Sequence, residues 1–359
     1  MKPVVRRRIG WLALIALLLL AGIAYAAWQQ WLRTNQPPVG EQPWEIAFTA
    51  PDTGVPPWNR TLDQRLVQLI ERSTHTLDIA IYDFDLADIA EAIARAAERG
   101  VRVRLVTDSD TLDNTADPAI QSAFSRLIRA GIVIVPDERA SIMHNKFTVV
   151  DGTWVETGSW NYTEGDTRRL DNNQVIFRSP ELAQQFTDEM ERLLAPRRPR
   201  PPVSLPLVEL PDTRIEAHFS PDSGIAALLA QRIQQVQRRV HFLAFSFTED
   251  GIGQALLDRW QAGSEVEGVF ESSGASTSAS ELRRLQAAGV PVYQDGNPYF
   301  MHHKVMLLDD RVTVFGSFNF SRSADSENDE NLLFVENEAF TARFEQEFQR
   351  VLRIARQQR

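Results

Sequence analysis

Apolar and polar positions along this 359-residue chain fall into blocks that occur twice. Leu62 to Arg72 and Ile225 to Val236 carry apolar residues at helical spacing. Each precedes a short apolar run, Leu77 to Tyr82 and Val240 to Phe245, that reads as a buried strand. Helical patterns return over Leu86 to Arg99 and Ile252 to Gln261, and Gly100 and Gly263 follow as C-cap residues. Two further pairs of strand-like runs come next: Val101 to Val106 with Val266 to Phe270, and Ile132 to Val135 with Val290 to Tyr293. A last helix is expected over Glu338 to Arg356. The stretches Ile46 to Gly54 and Glu216 to Gly224 also resemble each other, so nearly everything after residue 43 is an internal duplication. Strands alternating with helices predict an α/β fold, each half a mostly parallel sheet flanked by helices.

The N-terminal block follows a different pattern. Ile9 to Ala27 is an uncharged apolar run of 19 residues, preceded by Lys2, Arg6, Arg7 and Arg8. That length approaches the roughly 20 residues that span a bilayer. Trp11, Trp28 and Trp31 lie near its ends, as interfacial aromatics do. Residues 1–33 are therefore expected to be a transmembrane signal anchor, with the basic tail cytoplasmic and the remainder outside. The competing expectation is a secreted protein, because Ala24-Tyr25-Ala26 fits a signal-peptidase site. Residues 34–43 read as a tether and 44–195 as the first half. The proline-rich stretch 196–213 reads as a semi-rigid linker, and 214–359 as the second half.

Charge narrows the partners. The chain carries −10 overall. Removing Lys2, Arg6, Arg7, Arg8 and Arg33 leaves 33 basic against 48 acidic residues, so residues 34–359 carry −15. Such a body gives no long-range attraction to polyanions. There is no cysteine, and no H-E-x-x-H pattern, so a zinc site is not expected.

Only three lysines stand against 35 arginines, and two of them sit two residues after a histidine: His144-Asn145-Lys146 and His302-His303-Lys304. A site that keeps lysine among so many arginines needs a compact ammonium. Each motif continues at the same spacing to an Asp and then Gly-Ser-aromatic-Asn, through Asp151, Gly158, Ser159, Trp160 and Asn161 in the first copy and Asp309, Gly316, Ser317, Phe318 and Asn319 in the second. Strand alternation puts His144, Lys146 and Thr148 on one face, with Asp151 and Asp309 as turn or framework groups. His303 is off that face. Glycine at 158 and 316 is expected to allow close approach of a ligand. The imidazole, ammonium, hydroxyl and amide of each half suit a phosphodiester. Lysines and asparagines hold the non-bridging oxygens, one histidine attacks phosphorus, and the other protonates the leaving oxygen and then activates water. Ser159, Asn161, Ser317 and Asn319 are expected to contact the phosphate. No metal or other cofactor is expected.

The duplicated H-x-K-x4-D with G-S-x-N resembles the phospholipase D superfamily, the HKD phosphodiesterases. The resemblance covers nearly all of residues 44–359. It implies a pseudo-two-fold α/β sandwich with one active site between the halves and a phosphohistidine intermediate. It also implies an acidic residue after G-S-x-N, which Glu330 supplies in the second half, with Asn173 in the matching place of the first. If the acidic group reaches the opposite half's histidine, Glu330 supports His144 as nucleophile and His302 is the general acid. The expected activity is phospholipase D-type hydrolysis of phospholipid at the membrane, by a monomer, since both motifs are in one chain. A metal-independent nuclease acting on DNA or RNA and a non-catalytic surface-anchored binding protein are the alternatives.

Overall fold

The structure, a computed structural model, describes residues 42–49, 51, 61–114, 116–195, 199–275 and 277–357. The expected anchor, nearly all of the tether and residues 196–198 of the linker lie outside the described residues. Among the described residues no helix is long and apolar enough to cross a membrane. Residues Trp44–Arg359 form one compact unit.

Two similar mixed sheets carry the fold. The first half contributes β1 Trp44–Phe48, β2 Thr76–Ile81, β3 Arg102–Thr107, β4 Ile134–Pro136, β5 Lys146–Val150, β6 Trp154–Gly158 and β7 Asn173–Arg178, ordered β1-β7-β6-β5-β2-β3-β4. The second contributes β8 Val208–Leu210, β9 Thr213–Phe219, β10 Arg239–Ala244, β11 Glu265–Phe270, β12 Val292–Gln294, β13 Lys304–Leu308, β14 Val312–Gly316 and β15 Asn331–Glu336. Its order is β12-β11-β10-β13-β14-β15-β9-β8. The expectation of mostly parallel sheets is corrected. Only β2-β3-β4 and β10-β11-β12 run parallel, and every other pairing is antiparallel. The reason lies in the connections. Helices Ala87–Glu98 and Pro118–Arg129 are crossovers that return the chain parallel, whereas the turn after β5 reverses it directly. There Asp151 and Gly152 adopt φ of 50° and 56°, and Asp309 adopts 52° in the second half.

The cross-chain elements follow from local signals. Pro118–Arg129 begins with proline after Asp117, whose carboxylate accepts from Ala119 N at 2.8 Å. Pro180–Leu194 repeats the device with Ser179, which accepts from Leu182 N at 3.1 Å. Gly100 and Gly263 take φ of 92° and 89° just past their helices, as a C-cap requires. The linker contains the short edge strand β8, and its prolines all lie outside that strand.

Helix Pro180–Leu194 and helix Glu338–Gln357 supply the layer between the sheets. Phe186, Phe340 and Phe344 share one buried core with Phe147 and Phe177 of the first sheet and Phe219 and Phe315 of the second. Phe186 meets Phe219 at 5.1 Å, and Phe48 meets Phe344 at 5.1 Å. Each such buried ring is worth about 1.5–3 kcal/mol, so the halves are held by their common core. Separate cores fill the outer side of each sheet.

Candidate active site

The two motif histidines lie just before β5 and β13, and each is stitched to the opposite half. His144 N donates to Asp329 O at 2.9 Å, and Asp329 N to Ile142 O at 3.1 Å. His302 N donates to Asp171 O at 2.9 Å, and Asp171 N to Phe300 O at 3.1 Å. The same bonds recur with the halves exchanged, which is what a pseudo-two-fold relation requires. The residue after each aspartate, Glu330 or Asn172, thereby reaches the other half's imidazole. His144 Nδ1 lies 2.7 Å from Glu330 Oε2, and His302 Nδ1 lies 2.9 Å from Asn172 Oδ1. An ionised carboxylate and an amide oxygen only accept, so both Nδ1 atoms carry the proton and both Nε2 atoms keep a lone pair.

This geometry corrects the sequence alignment of the halves by one residue. The counterpart of Glu330 is Asn172, and Asn173 corresponds to Asn331. Both of these point the other way, Asn173 Nδ2 to His303 Nδ1 at 2.9 Å and Asn331 Nδ2 to Asn145 Oδ1 at 2.9 Å. His303 is off the site face as expected, with Nε2 3.0 Å from Glu347 Oε1.

The lysines are walled in. Lys146 and Lys304 are 1% and 0% exposed. Each Nζ donates to the carbonyl of its own motif histidine, at 2.8 and 2.7 Å. The Tyr82 ring lies beside His144 and under Lys146, with the ammonium 5.1 Å from its centroid. Phe245 holds the equivalent place by His302 and Lys304, with the ammonium at 4.6 Å. Burial holds the Lys146 ammonium down to about 8, and burial and Lys146 push Lys304 well below its ordinary value. Burial and the two ammonium groups also drive His144 far below the usual imidazole range. Burial and Lys304 lower His302 to about 3, and Asp166 opposes them. Burial raises Glu330 to about 7 against the pull of Lys146. The site thus sets two buried lysines beside two imidazoles held in the neutral form, an arrangement suited to a bound anion.

The profile of the family described as "Cardiolipin synthase, PLD-like domain" matches residues 66–194 and 229–352. The chain belongs to the phospholipase D superfamily. A mitochondrial cardiolipin hydrolase of Xenopus tropicalis is 35% identical over 129 residues, 36% of this chain and 59% of that protein. A phospholipase D of Rickettsia bellii is 30% identical over 129 residues, 36% of this chain and 64% of that protein. The match thus spans less than two thirds of either relative. The crystal structure of a phosphatidylserine synthase of Haemophilus influenzae Rd KW20 shares the fold, with TM-score 0.67 and 16% identity over 85% of this chain and 86% of that one.

Within this superfamily fold, the other motif residues have the following partners. The serines hydrogen-bond to the groups behind the histidines. Ser317 Oγ donates to Glu330 Oε2 at 2.6 Å and Ser159 Oγ to Asn172 Oδ1 at 2.8 Å, so each steadies the group behind a histidine. The glycines serve a strand, not a ligand. A Cβ at Gly158 or Gly316 would overlap the carbonyl oxygen of Asn173 or Asn331 on the neighbouring strand. Asn161 is tied back, N and Nδ2 both donating to Asp166 Oδ1 at 3.0 and 3.2 Å. The amide oxygens of Asn161 and Asn319 are buried without a hydrogen-bond partner. Asp151 and Asp309 lie away from the imidazoles. Asp151 accepts from Thr74, His75 and Thr76 N, and Asp309 from Gln237, Arg238 and Arg239 N, fixing the turns before β2 and β10.

Sequence reasoning missed Asp166, Tyr82 and Phe245. The aromatics follow directly on β2 and β10 in matching places, a signal the duplication carried. Asp166 has no counterpart in the other half, so the repeat gave no sign of it.

Proposed function

We propose that the chain is a phospholipase D-type phosphodiesterase that hydrolyses phospholipids through a phosphohistidine intermediate. The observation that carries this reading is the 2.7 Å contact between His144 of one half and Glu330 of the other, beside two buried lysines. With Nδ1 bound to Glu330, the Nε2 lone pair of His144 is free to attack phosphorus. The P–O bond to the head group breaks, and His302 Nε2–H protonates the leaving oxygen. His302 then takes a proton from water, whose oxygen attacks phosphorus and breaks the P–N bond. Lys146 and Lys304 hold the non-bridging oxygens and meet the charge that develops there. The anionic diester also supplies the negative charge that lets His302 take up a proton in the complex.

Lipid is favoured as substrate by the rim. Tyr299 and Phe300 are 52% and 41% exposed, immediately before Met301 and His302. The Arg169 guanidinium lies 5.3 Å from the Tyr299 ring. An exposed aromatic pair beside arginine suits a lipid interface. The −15 body repels nucleic acid, and the names of the relatives agree with lipid. Residues 1–33 would hold the enzyme to the membrane with the two halves outside the cytoplasm, as the basic tail and apolar run suggest.

The full-length protein in detergent is to be assayed against phosphatidylcholine, cardiolipin, single-stranded DNA and bis(p-nitrophenyl) phosphate. Hydrolysis of phospholipid and of the p-nitrophenyl ester is expected. Turnover of DNA without lipid would assign a nuclease, and turnover of none would leave a binding protein. Protease added to intact cells is expected to remove the globular part.

A further inference from the structure

We propose that Asp166 is the carboxylate of the His302 side of the site, displaced from the segment before β7 to a neighbouring helical turn, and that it positions His302 as the general acid and base. The inference rests on the reading above and deepens it. The half that supports His302 has an amide, Asn172, where the other half has Glu330. A carboxylate nevertheless reaches the same place. Asp166 lies on helix Glu164–Arg168, is 7% exposed, and brings Oδ1 to 3.4 Å from His302 Nδ1. Asn172 bridges the two. Its Oδ1 accepts from His302 and from Ser159, and its Nδ2 donates to Asp166 O at 3.1 Å and to Asp166 Oδ1 at 3.3 Å. Both donor directions of the amide are thus fixed by Asp166, which settles which face Asn172 turns to the imidazole.

The other half lacks this device. Thr163 caps the helix by accepting from Asp166 N at 3.1 Å, and Ser321 caps its counterpart by accepting from Ala324 N at 3.3 Å. The residue equivalent to Asp166 is therefore Ala324, and the two halves place one carboxylate each by different routes. The routes differ in strength. Glu330 touches His144 directly at 2.7 Å, whereas Asp166 Oδ1 faces His302 Nδ1 at the longer distance of 3.4 Å, beside the Asn172 amide oxygen at 2.9 Å. A direct carboxylate makes His144 Nε2 a strong nucleophile. A longer carboxylate contact at Nδ1 supports the imidazolium but raises the basicity of Nε2 less, so His302 releases its Nε2 proton to a leaving oxygen more readily.

The test compares leaving groups in the full-length protein. Asp166→Asn is expected to lose about 10- to 100-fold in kcat on phosphatidylcholine, whose choline alkoxide needs a proton. On bis(p-nitrophenyl) phosphate the first-turnover burst of p-nitrophenolate is expected to keep its rate, because that leaving group departs unprotonated. The following steady state slows and phosphohistidine accumulates. Asp166→Ala with Asn172→Glu, which rebuilds the arrangement of the other half, is expected to restore part of the phosphatidylcholine rate. Equal losses of burst and steady state on both substrates, with no recovery in the double variant, would reduce Asp166 to a structural residue. An unimpaired Asp166→Asn would remove it from the site. Wild-type protein inactive on both substrates would instead overturn the proposed function itself.

Discussion

Lys146 and Lys304 have no room around them, and that constrains both substitution and pH. Their ammonium groups are buried and each is anchored on the carbonyl of its motif histidine. A guanidinium is planar and larger, so Lys146→Arg and Lys304→Arg keep the charge and lose the fit. Each is expected to cost about 100-fold or more in kcat, the scale of a lost contact to transition-state charge. Near-normal kcat in both variants would place these lysines outside the chemistry. The pH dependence follows from the same burial. For bis(p-nitrophenyl) phosphate, kcat/KM reports only attack by His144, since the leaving group needs no proton. Attack requires Glu330 ionised, and burial raises it to about 7, so rate is lost as pH falls through that value. It also requires Lys146 charged, and burial lowers it to about 8, so rate is lost as pH rises through that value. A narrow bell between those limits is expected in free enzyme. In Glu330→Gln the residual activity is expected to lack the acid limb. A profile flat from pH 6 to 10 would contradict these assignments.

At the level of elements, β6-β7 and β14-β15 approach so closely that only glycine fits at positions 158 and 316. Gly158→Ala and Gly316→Ala are expected to destabilise by about 1–3 kcal/mol, because the strands must part or the site serines must shift. Chemical denaturation measures this, and wild-type stability in both variants would show that the strands have slack. These glycines also illustrate what sequence can and cannot carry. Helices with capping signals, and strands as apolar runs, were legible because their cause is local. The direction of β5 was not, since parallel and antiparallel neighbours differ only in how the chain returns. The histidines and lysines were legible because the repeat marks them twice. The serines were legible as motif members but not as supports of Glu330 and Asn172. Asn172 was confused with Asn173 because adjacent strand residues point to opposite faces, and spacing alone does not say which faces the site. Asp166 was invisible, lying in one half only.

Neither half holds both partners of its motif histidine on its own. His144 takes its carboxylate from the segment before β15, beyond its own half, and His302 takes its partners from the segment before β7. Arg192 of the first half is paired with Asp329 at 2.6 Å, and Arg350 of the second with Asp171, so ion pairs behind each histidine lock the crossing segments. These contacts, and the phenylalanine core shared by both sheets, lie within one compact unit. A self-contained monomer would have no free half to lend. His144→Asn leaves Glu330 without its imidazole, and His302→Asn leaves Asn172 and Asp166 without theirs. When both variants are co-expressed, activity on bis(p-nitrophenyl) phosphate is expected to stay at the level of either alone. Recovery would require the first half of one copy to meet the second half of another, with His144 of one chain on Glu330 of its neighbour. Such exchange would have to open the shared core, where each buried phenylalanine opposes it by about 1.5–3 kcal/mol. Co-expression of the two single variants therefore separates a self-contained monomer from a swapped dimer, and recovered turnover would rule out the former.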